Sequence, residues 1–545
     1  MKTRVNLWGT GHGTEAGNAS AFRLPRWLEV VLAIVVLLQL VAPFVAHTYG
    51  TDGPTHMYWT TRFGEMLSQG VLVPRWVPSG FRGYGSPAFY FYPPVYFYAS
   101  NLVKVVLQIG EPYMIMQMTG LLLTIASFGT TWFLLRTVGA PRYQALIGSS
   151  LYAFAPFRIA ELYSRTSLPA HLSYVFLPLL WCGLYLIISR ENGRSGVILT
   201  GVSAALMFLS SIPLTVGTLA LLPLVAIAER EQLTPIVLRR IAAAVALCLG
   251  LTAYQLISIA TYKNDIQLAI LTRIPDYLIL DVLHGRMLPA FYHYALLYLS
   301  AAILAVVYFR PRTRQTLTPT ERNVLRGGLV IIACFAFLDT PIVSEPIWSA
   351  VSLIAQGTWR NYIYFLLFAA VVTGTMHSKV LRTSATFITA LWCFGALLPL
   401  ALILTDAHFY RHDPGRTGDT PEYLPKAASL NFLTSVVPAA PQDPLPAEDS
   451  RARSPGGDTV TYHRFYWPAW HLYANDSEIR TWPDSVGRAR AAIPAQPSRL
   501  FWRLERTPLE QAGLWISGLT VGALLVAGGI GLVRSSVSRR NTSTP

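Results

Sequence analysis

Residues 89–109 read FYFYPPVYFYASNLVKVVLQI, and whether this stretch crosses a bilayer decides the topology of everything after it. It is rich in aromatic residues, carries Pro93-Pro94 near its start and places Lys104 in its last turns. Those are the marks of an amphipathic helix lying in an interface. Loop charge arbitrates, because Lys and Arg concentrate in short cytoplasmic loops. With 89–109 non-spanning, the apolar blocks give about twelve spans, near 27–46, 113–135, 143–157, 171–189, 196–210, 214–229, 237–259, 289–309, 325–340, 361–377, 383–404 and 512–533. Of the 43 Lys and Arg, 21 then fall in cytoplasmic segments and 10 in the short outer ones. The remaining 12 lie in 405–511, a segment too long for the rule to count. Making 89–109 a span inverts every later loop and puts most of the basic residues outside.

The composition agrees. The 545 residues are 52% hydrophobic and 13% charged, against roughly 25% charged in soluble domains. The first apolar block, 27–46, follows Arg23 and Arg26 and lacks a small-x-small cleavage site, which reads as an uncleaved signal-anchor. A net charge of +15 can signal nucleic acid, but here the basic residues cluster between apolar blocks, as topology determinants do. No nucleic-acid partner is expected. Cys182, Cys248, Cys334 and Cys393 all fall in apolar blocks, so neither a disulfide framework nor a cysteine zinc site is on offer.

The expected fold is an all-α polytopic membrane protein with a small extracytoplasmic β-rich domain before the last helix. Residues 1–26 form a cytoplasmic N-terminus and 27–404 the transmembrane domain, with a first outer loop at 47–112. An outer domain covers 405–511, with a Pro/Ala/Asp-rich, disordered-looking linker at 437–458. The final span, 512–533, leads to a cytoplasmic tail, 534–545. Within the outer domain the alternating stretches Val460 to Tyr466 and Leu500 to Leu504 suggest strands.

Ionisable residues inside spans mark coupled transporters. The expected spans hold almost none, with Asp339 and Glu229 only at span ends. The working surface is therefore expected on the outer loops. In the first of these, Thr51-Asp52-Gly53-Pro54-Thr55-His56 places a carboxylate and an imidazole at the membrane boundary. Asp-Gly-Pro is also ordinary turn chemistry. Pro74-Arg75-Trp76, Gly83-Tyr84-Gly85-Ser86-Pro87 and Phe89-Tyr90-Phe91-Tyr92-Pro93-Pro94 follow on the same side. Their rings suit either a headgroup-level aromatic belt or stacking on sugars. Asp52 and His56 share a face only if the segment is helical, which Pro54 counts against at its start. They are the two candidates for a divalent metal ion, whose involvement is left open. The sequon Asn475-Asp476-Ser477 carries no weight by itself.

The order of signal-anchor, acidic loop, Pro-Arg-Trp, Gly-Tyr-Gly-x-Pro and Phe-Tyr-x-Tyr-Pro-Pro resembles the GT-C class of membrane glycosyltransferases. Within it, the chain looks most like the bacterial family labelled "6-pyruvoyl-tetrahydropterin synthase-related" membrane proteins. The likeness continues through Glu422-Tyr423-Leu424-Pro425, Phe465-Tyr466-Trp467-Pro468-Ala469-Trp470 and Thr507-Pro508 to Ile516-Ser517. It implies no pterin chemistry. It implies transfer of a sugar from a polyprenyl-phosphate-linked donor to a glycan, lipid or protein acceptor at the outer face of a bacterial inner membrane. The first-loop acid, Asp52 here, would act on the acceptor or hold a metal, and a non-spanning helix after that loop is typical of the class.

The physics of such a transfer sets the remaining roles. An attacking hydroxyl needs a base, for which Asp52 and Glu161 are the candidates. A departing lipid phosphate needs cations near the bilayer surface, for which Arg165, Arg360 and Lys263 are the candidates. His56, Arg75, Trp76, Arg82, Tyr84, Tyr92 and His171 are expected around the substrate. Each arginine equally suits snorkelling or headgroup contact, and Glu161 equally suits pairing with Arg165 or Arg158. The family often carries an acid shortly after the arginine corresponding to Arg165. This chain reads Thr166-Ser167-Leu168-Pro169-Ala170-His171 there, which puts activity in doubt unless His171 substitutes. Two other classes stay in view: a lipid or polysaccharide exporter, and a non-catalytic envelope protein that binds glycan or assists assembly.

Overall fold

The computed structural model describes residues 22–45, 52–189, 193–267, 288–338, 362–404, 423–429, 451–453, 459–493 and 499–541. Its helices, in chain order, are α1 (Arg26–Val45), α2 (Gly53–Ser68), α3 (Ala88–Phe91), α4 (Val95–Leu107), α5 (Pro112–Thr137), α6 (Arg142–Ala153), α7 (Pro156–Ile159), α8 (Leu168–Ser189), α9 (Gly193–Phe208), α10 (Ile212–Ala228), α11 (Pro235–Tyr262), α12 (Leu288–Phe309), α13 (Pro311–Thr316), α14 (Pro319–Leu338), α15 (Tyr362–Thr375), α16 (Lys379–Leu404) and α17 (Pro508–Asn541). Among the described residues six helices are long and apolar enough to cross a bilayer: α1, α5, α8, α11, α16 and α17. The chain is a membrane protein.

Several of the other expected spans form helices that are shorter or more charged, while α12 runs for 22 residues without an Asp, Glu, Lys or Arg. α9, α10 and α15 have 16, 17 and 14 residues, below the roughly 20 that a bilayer core asks of an untilted helix. Ser210-Ser211, ahead of Pro213, separates α9 from α10. α14 carries Glu321, Arg322 and Arg326 in its first half.

The stretch that decided the topology is itself divided. α3 ends at Phe91, Tyr92 takes an extended conformation, and Pro93-Pro94 precede α4. A proline cannot supply the N–H that a continuous helix needs, and it pushes the preceding residue out of the helical region. At 13 residues α4 is about 20 Å long, too short to span. One face buries Tyr96, Phe97, Ser100 and Asn101, while Leu102, Val105 and Val106 stand exposed in a stripe.

The chain divides into two compact units. The first comprises residues 1–70, 93–244 and 271–418. Its core runs through α1, α5 to α10, α12, α14, α15 and α16, with Tyr152, Tyr174, Tyr362, Leu366 and Ala396 fully or almost fully buried. α8 and α9 cross at Gly183 and Gly196. A Cβ on Gly183 would stand 2.4 Å from Thr200 Oγ1, so only glycine lets these backbones approach. α14 starts at a reciprocal cap: the Thr318 N–H donates to Glu321, and the Glu321 N–H to the Thr318 hydroxyl. The same carboxylate also accepts the His377 and Ser378 N–H groups ahead of α16.

The second unit comprises residues 71–92, 245–270 and 419–545 and contains the strands. These are β1 (Arg451–Arg453), β2 (Thr459–Phe465), β3 (Trp470–Ala474), β4 (Ser477–Ile479), β5 (Thr481–Pro483), β6 (Arg488–Ala492) and β7 (Leu500–Leu504). They form two antiparallel sheets, ordered β1-β2-β6-β5 and β4-β3-β7. Val460, Tyr462, Leu472 and Ala491 form a core of the module. The alternating stretches expected as strands are β2 and β7. Most of the expected linker lies outside the described residues, but Arg451–Arg453 within it pairs with β2.

Asn475 and Asp476 take φ of 50° and 68° between β3 and β4, the two left-handed residues of a tight hairpin. Asn475 Oδ1 accepts the Arg499 N–H at 3.0 Å. Turn geometry accounts for the sequon.

Candidate functional site

Asp52, His56, Glu161, Arg165 and His171 belong to the first unit. α2 begins at Gly53, with Asp52 at its N-cap position and Pro54 in the first turn, where a missing N–H costs no hydrogen bond. The His56 N–H donates to the Asp52 carbonyl at 3.0 Å. The segment is therefore helical from its start, and residues 52 and 56 stack one turn apart.

The facing wall comes from more than a hundred residues along the chain. After α7 the chain makes a π-helical turn, Ala160–Ser164, of the kind common at functional sites. Arg165 follows, and then Thr166, buried with φ +55°. A β-branched residue in the left-handed region is strained by about 1–3 kcal/mol. Surrounding bonds hold it there: the Ser167 N–H donates to the Glu161 carbonyl, the Asp52 N–H donates to the Arg165 carbonyl at 2.9 Å, and the Thr166 carbonyl accepts His56 Nδ1 at 2.8 Å. Because a carbonyl only accepts, Nδ1 of His56 is the donor in that bond.

Arg165 lies between two acids. Its Nη1 donates to Glu161 Oε1 at 3.0 Å, and its Nη2 stands 3.7 Å from Asp52 Oδ2. The carboxylates differ in environment: the Asp52 side chain is 40% exposed, that of Glu161 2%. The Tyr174 hydroxyl also donates to Glu161, at 3.4 Å.

Behind Glu161 is a cation that sequence reading treated only as a pairing partner. Arg158 is buried, donates Nη2 to Ser127 Oγ at 3.0 Å and lies 4.5 Å over the Tyr174 ring. Its Nε and Nη1 have no hydrogen-bond partner among the described residues. His171 is also fully buried, against Tyr174, and neither ring nitrogen has such a partner. It is an interior group of the bundle rather than an exposed one.

Arg75, Trp76, Arg82, Tyr84, Tyr92 and Lys263 belong to the second unit. Arg75 is buried, donating to Glu510 Oε1 at 3.1 Å and lying 5.1 Å over the Tyr90 ring. Glu510 also accepts the Tyr262 hydroxyl at 3.0 Å and the Thr507 N–H at 2.9 Å. Trp76 packs among Trp467 and Trp470, and a Cβ on Gly85 would meet its ring at 2.2 Å. Tyr84 stacks on His463 at 4.0 Å and Phe465 at 5.1 Å; Tyr92 meets Tyr423 edge-on. Arg82 and Lys263 are exposed. Arg360, Asp339 and Glu422 lie outside the described residues.

The Glu510 network had a legible signal. Thr507-Pro508-Leu509-Glu510 repeats the Thr-Pro-x-Glu pattern of Thr318 to Glu321, and both are reciprocal helix caps. Thr166 carried none, since nothing in its identity foretells a left-handed backbone. Among the described residues no three His, Cys, Asp or Glu side chains converge as a metal site.

No family model and no curated protein matches the chain. Solved structures do. The arabinofuranosyltransferase AftD from Mycobacteria matches at 15% identity and a TM-score of 0.43, over 71% of this chain and 28% of that one. An Archaeoglobus fulgidus oligosaccharyltransferase matches at 17% and 0.41, over 71% and 54%. ArnT from Cupriavidus metallidurans, bound to undecaprenyl phosphate, matches at 12% and 0.27, over 64% and 77%. The chain thus spans only about a quarter to a half of the first two.

Proposed function

We propose that this protein is a membrane glycosyltransferase of the GT-C type, transferring a sugar from a polyprenyl-phosphate-linked donor to an acceptor hydroxyl at the extracytoplasmic face. The twelve-span arrangement with both termini cytoplasmic, in a bacterial inner membrane, belongs to this reading, as does the likeness to the "6-pyruvoyl-tetrahydropterin synthase-related" family. The observation that carries it is the pairing of an accessible carboxylate, Asp52, with an arginine, Arg165, that a buried acid holds in place.

In this reading the acceptor oxygen attacks the anomeric carbon while Asp52 takes its proton. The bond from that carbon to the phosphate oxygen breaks, and the charge left on the lipid phosphate is received by Arg165. The Arg165–Asp52 contact is long and partly exposed, so a phosphate can compete for Nη2 while Glu161 keeps Nη1. Glu161 thereby acts as a positioning residue. Arg360 is the further cation we assign to the donor phosphate. We assign Arg75, Trp76 and Tyr84 to holding the first-loop segment 71–92 in shape. Asp52 and His56 are the two residues that would hold a divalent ion, which would take its other ligands from water and the donor phosphate.

The test is transfer from a synthetic polyprenyl-phosphate sugar by reconstituted protein. Asp52→Asn should reduce turnover by about a hundredfold or more, with donor binding retained. Full activity in that variant would remove Asp52 from the mechanism. Loss of function on deleting 451–504 with Asp52→Asn neutral would favour the glycan-binding reading, and Asp52-independent vesicle transport the exporter.

A further inference from the structure

Within the first unit, α5, α8, α10, α14 and α15 leave a cavity of roughly 580 Å³. That volume falls in the range of small-molecule sites, about 300–1,000 Å³. It is remote from Asp52 and Arg165. Gly120 of α5 lies against Leu162, beside Glu161, whereas the cavity wall on that helix is Leu134, about 20 Å further along the axis. On α8 the wall is Trp181, again about 20 Å from Leu168, where that helix leaves the site.

The lining is sharply divided. Leu221, Val225, Ile331, Leu367 and Phe368 make an apolar trough. The Tyr364 hydroxyl at its wall is occupied by the Leu214 carbonyl and Thr218. Ile227 and Val330, also in the lining, are 67% and 44% exposed, so the trough opens sideways. The charges in the lining come from one end, where α10 runs out and α14 begins: Arg230, Glu231 and Arg326, all exposed. They sum to one positive charge. An apolar slot open to the side and ending in a net cation complements a molecule with a long hydrocarbon chain and a singly charged anionic head.

We propose that this groove is a binding site for a phospholipid of the surrounding bilayer, one acyl chain lying in the trough and the phosphodiester held by Arg230 and Arg326. The site is separate from the catalytic reading and does not depend on it. Beyond the Trp181 indole N–H the apolar trough offers little to hydrogen-bond a sugar, and the two guanidinium groups supply the donors that a phosphate oxygen takes best.

The experiment is native mass spectrometry of the full chain in detergent, titrated with dioleoylphosphatidylglycerol and, separately, with dioleoylglycerol, which has the same chains and no phosphate. The wild type should retain the phospholipid in preference to the diglyceride. Arg230→Gln/Arg326→Gln should weaken phospholipid retention by about tenfold and leave the diglyceride unchanged. Val330→Trp, filling the trough, should lose both; Leu224→Trp on the facing helix probes the same space if that variant fails to fold. Asp52→Asn should bind as the wild type does, so a failed transferase assay leaves this result standing. Unaltered retention in the double arginine variant or in both tryptophan variants would overturn the proposal. So would displacement of the phospholipid by an equimolar polyprenyl phosphate, which would make the groove a carrier-lipid site.

Discussion

Arg165 and Asp52 are joined twice: the Asp52 N–H donates to the Arg165 carbonyl at 2.9 Å, and Arg165 Nη2 stands 3.7 Å from Asp52 Oδ2. The backbone bond fixes where the two residues sit. The side-chain contact is loose enough for a substrate group to enter. Glu161 supplies the contrast, a buried carboxylate at 3.0 Å that keeps the guanidinium from following Asp52.

Separable kinetics follow from that division. Asp52→Asn should lower kcat with little change in donor KM. Glu161→Gln should act through Arg165, raising donor KM by about tenfold as the charge-assisted bond is lost. Arg165→Lys keeps the charge but not the fork and should resemble Glu161→Gln, and combining the two should add little. Steady-state transfer assays over donor concentration check this, and additive losses would uncouple Glu161 from Arg165.

Thr166 offers a stability test. Its φ of +55° costs a β-branched residue about 1–3 kcal/mol, while glycine there forfeits only about 0.5–1 kcal/mol of chain entropy. Thr166→Gly should therefore melt at or above the wild-type temperature in detergent. Thr166→Val, equally strained and without the hydroxyl, should melt lower. The reverse order would mean that the backbone there is not left-handed.

Arg75 and Glu510 form a buried ion pair within the second unit. Glu510→Ala leaves a buried guanidinium without its carboxylate and should destabilise that unit by about 3–5 kcal/mol. Arg75→Met/Glu510→Gln removes both charges and should recover a large part of the loss. A double-mutant cycle by thermal or chemical unfolding reads the coupling, which should exceed 1 kcal/mol for contacting groups. Additive effects would mark the pair as incidental.

His463 predicts a pH dependence. Burial against Tyr84 disfavours its charged form and Arg488 repels it, outweighing the Arg82 carbonyl that favours it, so its pKa is lowered. The unfolded chain then binds the proton more readily than the folded one. The stabilisation is complete above the unfolded value of about 6.5 and declines as pH falls below it toward the folded value. Unfolding of the β-module followed from pH 8 to 5 should show this slope, and His463→Gln should flatten it.

Much of the architecture was legible because it depends on local rules. Apolar blocks of bilayer length became α1, α5, α8, α11, α16 and α17, and period-two stretches became β2 and β7. The break at Ser210-Ser211 was legible too: the expected spans 196–210 and 214–229 part there, as α9 and α10 do. The stretch 89–109, expected as one interfacial helix, is divided at Pro93-Pro94, since a ring without an N–H acts on its own neighbours whatever surrounds it.

Sequence alone determined where the apolar blocks and the main strands lie, and that an acid and a histidine stand four positions apart; that they sit one turn apart on a helix was decided by the fold. Only the tertiary structure decided which of the arginines became which kind of group. Arg75 and Arg158 are buried, Arg82 is exposed, and Arg165 is held between Asp52 and Glu161. A guanidinium carries the same charge in every case. Its role is set by the desolvation and the partners that distant segments bring to it, and these exist only once residues 52 and 165 have been folded together.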